Sequence, residues 1–393
     1  MTRVVIIGGG AAGINTAQAL AKNLTEADDT EVVVLEKNSF FYHVVGAPRA
    51  YVDADYTDKM FIPYDNAIPK HSAKFVRIVR GVATRISAET NQVSYHAIGS
   101  DDRQSEATET LQFDYLVLAT GSSYSVPIKP DSREFARSAT EAKLQEVRGH
   151  IEKAKNVLVV GGGAVGCEVA AEIKAKYPIK SVTIVDANDK LIAGNNLRDK
   201  FYSYLSASLD KLGVKVILGE RLTERLSGNS FEKRTLRTDK GTEIESDIQL
   251  LCGGFSPVAT LVHEMDASLV DKRGAVKVNG QLQLEGDKYA HMFALGDVCN
   301  HPAPKMALVA GEQGKFLAAE LATVIRKKQV GFTKPFEEPP VAAMILPLGP
   351  CGGVSQLPVW GGVVFGDWVT WMIKSRDYFA GYIWSSIGAT VPK

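Results

Sequence analysis

Cysteine is scarce in this chain: four residues in 393, at Cys167, Cys252, Cys299 and Cys351. None is close enough to another to make a redox dithiol or a zinc clamp, so a reducing setting with mostly buried thiols is expected. Net charge is absent too, 45 basic residues balancing 45 acidic ones. No bulk attraction to nucleic acid or anionic lipid follows. No apolar run approaches the roughly eighteen residues of a membrane-spanning helix. The first strand begins by Val4, leaving no room for a signal or transit peptide, and Thr2 stands where N-myristoylation requires glycine. The expectation is a cytoplasmic protein, soluble or bound peripherally at a membrane surface. The seven histidines form no metal-ligand cluster, and no metal is expected.

What is abundant is glycine, and its placement organises the chain. Val4-Val5-Ile6-Ile7 reads as a buried parallel strand and runs into Gly8, Gly10 and Gly13, the spacing of a dinucleotide pyrophosphate turn. Ala17, Leu20, Ala21 and Leu24 continue as the apolar stripe of a helix, and the strand Glu31–Glu36 ends on a carboxylate placed for a ribose. The whole unit recurs. Asn156–Val160 leads into Gly161, Gly163 and Gly166, a helix follows through Ile173, and Ser181–Asp186 closes the copy. Two fingerprints imply two dinucleotides, a flavin (FAD) and a nicotinamide. Asp186 would accept from the 2′-hydroxyl of NADH and repel the 2′-phosphate of NADPH, so NADH is the expected donor.

Between and beyond these units lie further candidate site residues. The stretch from Phe40 to His43 and on through Pro48, Arg49 and Tyr51 holds no cysteine pair, which argues against a thiol–disulfide relay. His43 reads either as a flavin or acceptor contact or as a histidine satisfied by neighbouring backbone. Residues 75–98 read as short strands, and Gly99–Thr110 as an exposed polar loop. The strand Tyr115–Ala119 delivers Thr120 and Gly121 to the ligand crevice, and a helix is expected over 139–153. Glu168, in the first turn of the second Gly-loop helix, reads as a nicotinamide contact or as a charge complementing the helix dipole. The strand Ile248–Cys252 ends at Gly253 and Gly254. Met292–Leu295 delivers Asp297, suited to a ribityl chain or to a helix cap. Pro304, Lys305, Met306 and Ala307 open a helix whose free amides would face the flavin's carbonyl edge. All four tryptophans, Trp360, Trp368, Trp371 and Trp384, fall in one tail, after Pro335, Pro339, Pro340 and a strand expected over Val341–Leu346. Val364, Trp368, Trp371 and Met372 recur at helical spacing, which suits a membrane interface or an apolar ligand pocket as well as core packing onto the flavin domain.

Together, the two Gly-rich units, Ala119-Thr120-Gly121, Leu295-Gly296-Asp297 and Pro304-Lys305-Met306-Ala307 resemble the two-dinucleotide-binding flavoprotein superfamily, which includes type II NADH dehydrogenases and apoptosis-inducing factor. Within it, Val159–Gly163, Glu168–Ile173 and the tail Lys374-Ser375-Arg376-Asp377 with Phe379 are most similar to the ferroptosis suppressor protein family. The resemblance implies an α/β fold of two Rossmann-like domains plus a smaller α+β C-terminal domain. The expected layout is FAD domain 1–122 and 255–333, NAD domain 123–254 and C-terminal domain 334–393. It implies FAD held through Gly8, Gly10, Gly13, Glu36 and Asp297, and nicotinamide held through Gly161, Gly163, Gly166 and Glu168. It also implies a quinone of the ubiquinone or menaquinone class, approached through Lys374 and Phe379. Two departures stand out: the animal members are myristoylated where this chain has Thr2, and lack an acid at Asp186. The expected activity is transfer of a hydride from NADH to FAD and of two electrons to a quinone, with Trp368, Trp371 and Trp384 docking on the bilayer. The alternatives are a reductase of a small electron-carrier protein or of monodehydroascorbate, and a redox-signalling flavoprotein like apoptosis-inducing factor. The zero net charge counts against nucleic-acid binding.

Overall fold

The computed structural model describes residues 1–328, 331–332, 334–338 and 343–392. Its largest sheet has seven strands in the spatial order 292–294, 115–118, 2–7, 30–36, 76–87, 92–98 and 104–112. The first four pairings are parallel, and register Ile7 with Leu35 on one side and with Leu118 on the other, with Leu118 also opposite Ala294. These strands therefore end level, and the residues that follow them gather along one edge. Val4, Val5 and Ile6 are fully buried on both faces, which is why the run is continuously apolar rather than alternating. Helices Ala11–Asn23 and Ala307–Lys327 pack together on one face of this sheet, through Ala17, Leu20, Leu317 and Leu321.

The segment 99–110 departs from the loop expected of it. Gln104–Gln112 is a strand, antiparallel to Gln92–Ile98, which in turn is antiparallel to Val76–Ser87. It is an edge strand exposed along most of its length, so it carries none of the apolar alternation by which half-buried strands are read. Its order comes from the backbone ladder.

A second, all-parallel sheet has the order 214–218, 181–186, 156–160 and 248–251, and helix Ala164–Lys176 packs on it. Helix Arg137–Lys153 precedes it, beginning two residues before the expected start. A third, antiparallel sheet is formed by Met344–Pro347, Gly353–Leu357 and Val363–Phe365. The expected strand start at Val341 and the neighbouring Pro339 and Pro340 lie outside the described residues. Val364 belongs to this sheet rather than to the expected helix, which begins at Asp367 and passes into a wider π-helical turn at Trp371–Ser375. The last helix, Ala380–Ser386, buries Trp384, whose Nε1 donates to the Lys59 carbonyl at 3.0 Å. Trp384 thus belongs to the packing of the tail onto the N-terminal half, and the expectation that it docks on a bilayer is corrected. Among the described residues no helix is long and apolar enough to cross a membrane.

Candidate functional site

Each glycine-rich turn is forced by its own geometry. Gly8 and Gly161 have φ of +103° and +114°, and a Cβ at Gly13 or Gly166 would lie 1.8 or 1.9 Å from the carbonyl oxygen of Gly8 or Gly161. Gly10 and Gly163 are different: a Cβ at either would meet nothing within 4 Å. They form the N-caps of helices 11–23 and 164–176, neither of which has a capping side chain or an acid in its first turn. Open space thus faces a set of uncapped amides, the environment that a pyrophosphate neutralises. The residues present fit two dinucleotides.

Each turn is also strapped by the acid at the end of its second strand. Glu36 accepts from the Gly9 amide at 2.6 Å through one oxygen and from the Asn38 amide at 2.8 Å through the other. Asp186 accepts from the Gly162 amide through one oxygen, and from the backbone and side chain of Asn188 through the other. A carboxylate has further lone pairs for a ribose, so both acids can strap the loop and read the sugar. Tyr64, which carried no expectation, donates its hydroxyl to the Gly9 carbonyl at 2.8 Å.

At the level edge of the large sheet, Thr120 donates to the Val258 carbonyl at 2.7 Å, and Gly121, with φ of +69°, has open space above it. Asp297 follows the strand 292–294, and its carboxylate accepts from Ser122 at 2.7 Å and from Lys129 at 3.2 Å. It is a quarter exposed on its side-chain surface, leaving its other oxygen for a ligand. Lys305 turns its ammonium onto the carbonyls of Cys299 and His301, at 2.8 and 2.9 Å. Those bonds shape the loop before the long helix, which Met306 N-caps without a side-chain bond. Gly254 has φ of +67°, and a Cβ there, as at Gly121, would meet nothing within 4 Å.

Glu168 lies in the second turn of its helix rather than the first, and is buried. Its carboxylate accepts from the Lys374 ammonium at 2.8 Å, and Lys374 also donates to the Ile345 carbonyl at 3.1 Å. Burial raises the Glu168 pKa, opposed by the charge and hydrogen bond of Lys374. One turn further along the helix, Glu172 takes a bidentate pair from Arg49, at 2.7 and 2.9 Å, and the Tyr378 hydroxyl at 3.1 Å. Burial works against the Arg49 charge, but Glu172 more than offsets it and the pKa rises. Phe379 is half-buried in the left-handed conformation, φ +63°, with its amide donating to Asp377 at 3.0 Å. His43 is buried, its Nε2 3.3 Å from the Tyr56 hydroxyl, which donates to the Asp377 carbonyl at 2.7 Å.

The fold therefore joins two expected site residues, Lys374 and Glu168, in one ion pair. Sequence reasoning missed Arg49, Glu172 and Tyr378 as members of the same network. The available signal was spacing within one helix: Glu168 and Glu172 are four apart in the second Gly-loop helix, whereas Tyr378 sits in the turn after Lys374, with φ of +52°, and carries no such signal. Outside the network, Trp368, Trp371 and Met372 are 69 %, 39 % and 43 % exposed.

Residues 2–314 match the family described as pyridine nucleotide-disulphide oxidoreductase. Ferroptosis suppressor protein 1 of Xenopus tropicalis is 32 % identical, the match covering 100 % of this chain and 97 % of that one. Apoptosis-inducing factor homolog B of Dictyostelium discoideum is 29 % identical over 96 % of this chain and 94 % of its own. Among solved structures, the sulfide:quinone oxidoreductase of the hyperthermophilic bacterium Aquifex aeolicus superposes with a TM-score of 0.74 at 14 % identity, covering 99 % of this chain and 92 % of that one.

Proposed function

Since the chain belongs to the pyridine nucleotide-disulphide oxidoreductase family, we propose that it is an FAD-dependent oxidoreductase that takes a hydride from NADH and reduces a quinone. One observation carries the acceptor side: Lys374, paired with Glu168, shares its helical segment with the exposed, apolar Trp368, Trp371 and Met372. A charged donor beside an apolar face suits a ring that is greasy at one end and has carbonyl oxygens at the other. The names of the similar proteins, ferroptosis suppressor protein 1 and a sulfide:quinone oxidoreductase, agree with this reading. Thiol chemistry has little support despite the family's name, because the four cysteines are free, and three of them are buried.

The first sheet draws its strands from residues 2–118 and 292–294, which supports an FAD domain of 1–122 and 255–333; the second supports an NAD domain of 123–254, and the third a C-terminal domain of 334–393. Gly8, Gly10, Gly13, Glu36, Thr120, Gly121, Asp297 and the amides beyond Lys305 and Met306 would hold the FAD. Gly161, Gly163, Gly166, Asp186 and Gly254 would hold the nicotinamide nucleotide. Bound there, the FAD supplies the two-electron relay between nicotinamide and acceptor. The protein's part is orientation and charge. Glu168 keeps a proton donor, the Lys374 Nζ, at the acceptor end, and Phe379 lines the turn beyond it. Asp186 selects NADH, since a second negative group would face its carboxylate. Trp368, Trp371 and Met372 form the surface by which the protein meets a quinone-bearing bilayer.

Stopped-flow spectra of the yellow protein test the core reading. NADH should bleach the flavin band faster than NADPH, and a short-chain quinone should restore it under anaerobic conditions. Protein that takes up no flavin, or is reoxidised only by a protein acceptor, would refute it.

A further inference from the structure

The Arg49–Glu172 pair calls for a reason. Both side chains are buried, at 7 % and 2 % exposure, and a buried ion pair is seldom a better stabiliser than apolar packing of the same volume. Its bonds reach three separated segments: Arg49 in the short helix 47–50, Glu172 in the second Gly-loop helix, and Ser375 and Tyr378 in the tail. A third hydrogen bond of the guanidinium is informative. Arg49 Nη2, besides binding Glu172, donates at 2.8 Å to the carbonyl of Ser375, the residue after Lys374.

We propose that Arg49 is a positioning residue for the acceptor end of the site: by neutralising Glu172 and holding the Ser375 carbonyl, it commits the Lys374 ammonium to Glu168 and fixes where it points. This rests on the reading of Lys374 given above. Glu168 and Glu172 stand one turn apart on the same helix face, so their carboxylates repel and compete for the same cations. Arg49 and Lys374 share the Tyr378 ring, at 5.1 and 5.6 Å from its centroid, and the Tyr378 hydroxyl already leans on Glu172. With the guanidinium removed, Glu172 becomes an uncompensated buried charge. Lys374, the other cation on that ring, is then drawn from Glu168 and the Ile345 carbonyl toward Glu172. Arginine suits the task because its planar fork can engage both carboxylate oxygens and a carbonyl at once.

The prediction is an asymmetry that a simple structural cross-link would not produce. Arg49→Met, Arg49→Lys and Glu172→Gln are compared as full-length, FAD-loaded proteins in separate half-reactions. Arg49→Met should leave flavin reduction by NADH within about twofold, and slow reoxidation by a short-chain quinone at least about tenfold. The equilibrium affinity for that quinone, read from tryptophan fluorescence, should fall with it. Glu172→Gln removes the competing charge and leaves Arg49 on Ser375, so its reoxidation rate should fall less than about threefold, although its melting temperature drops. Arg49→Lys, which keeps the charge and loses the fork, should reoxidise at a rate between those of the methionine variant and the unsubstituted protein; if Arg49→Met does not fold, the lysine variant, slowed more than about threefold, is set against Glu172→Gln, slowed less. Equal losses on removing Arg49 and Glu172, or a loss confined to the NADH step, would overturn the inference. Failure of the quinone reading is distinct: the unsubstituted protein would be reduced by NADH and never reoxidised by quinone, and both proposals would fall.

Discussion

Replacing His43 by leucine is expected to flatten the acid limb of the stability curve. The ring is 1 % exposed, and burial, reinforced by the nearby Lys374 charge and opposed by a bond to the Tyr378 backbone, lowers its pKa from 6.5 to about 4. A depressed histidine contributes stability that is complete above its unfolded pKa and is lost as pH falls through the folded one, because only the unfolded chain takes up the proton in between. With 6.5 unfolded and about 4 folded, the wild-type chain should lose about 3 kcal/mol between neutral pH and pH 4 through this group alone. His43→Leu removes that slope. It leaves the Tyr56 hydroxyl bonded to the Asp377 carbonyl, so the remaining cost is an offset that does not vary with pH. Urea denaturation of both proteins at saturating FAD, stepped from neutral to acid, measures the difference directly. Parallel curves would refute the burial argument and make His43 a group open to ligand or solvent.

Gly166→Ala should give a protein that still binds FAD but is no longer reduced by NADH, because the added methyl would lie 1.9 Å from the Gly161 carbonyl; flavin absorbance and bleaching by NADH separate the two. Trp384→Ala should destabilise by about 3–5 kcal/mol, as large-to-small changes in packed sites do, read as a fall in the denaturation midpoint. A Trp368→Ser, Trp371→Ser, Met372→Ser triple variant should lose flotation with liposomes while keeping its flavin; flotation equal to wild type would remove the bilayer from the proposed function. With Ellman's reagent, the native protein should show one rapid thiol, Cys351, since Cys167, Cys252 and Cys299 are buried and Cys252 is pushed up to about 12 by burial. Four rapid thiols would mean the core is open.

The two nucleotide cradles were legible in the sequence because their determinants are local. A strand buried on both faces must be apolar throughout, a turn with φ near +100° selects glycine, and the close crossing of Gly13 or Gly166 over the preceding carbonyl admits nothing larger. These constraints act within a few residues and leave a readable spacing. The same logic explains two errors. Gln104–Gln112 is ordered by its backbone pairing with the preceding strand and not by its own side-chain pattern, and Val364 continues a helical spacing by coincidence while its backbone joins a sheet.

The tertiary structure alone decided what surrounds the reaction. Arg49 and Glu172 are 123 positions apart and Glu168 and Lys374 are 206 apart, yet each pair sits within hydrogen-bond distance. Charge cancellation between such partners leaves no periodicity, since it depends on which faces the packed domains turn toward each other. The tryptophans make the same point: Trp368 lies open to solvent and Trp384 is buried, although both belong to one aromatic tail of uniform composition. Residue type set the affinity of those rings for apolar surroundings, and only the folding of the tail against the N-terminal half determined which of them found such surroundings within the chain.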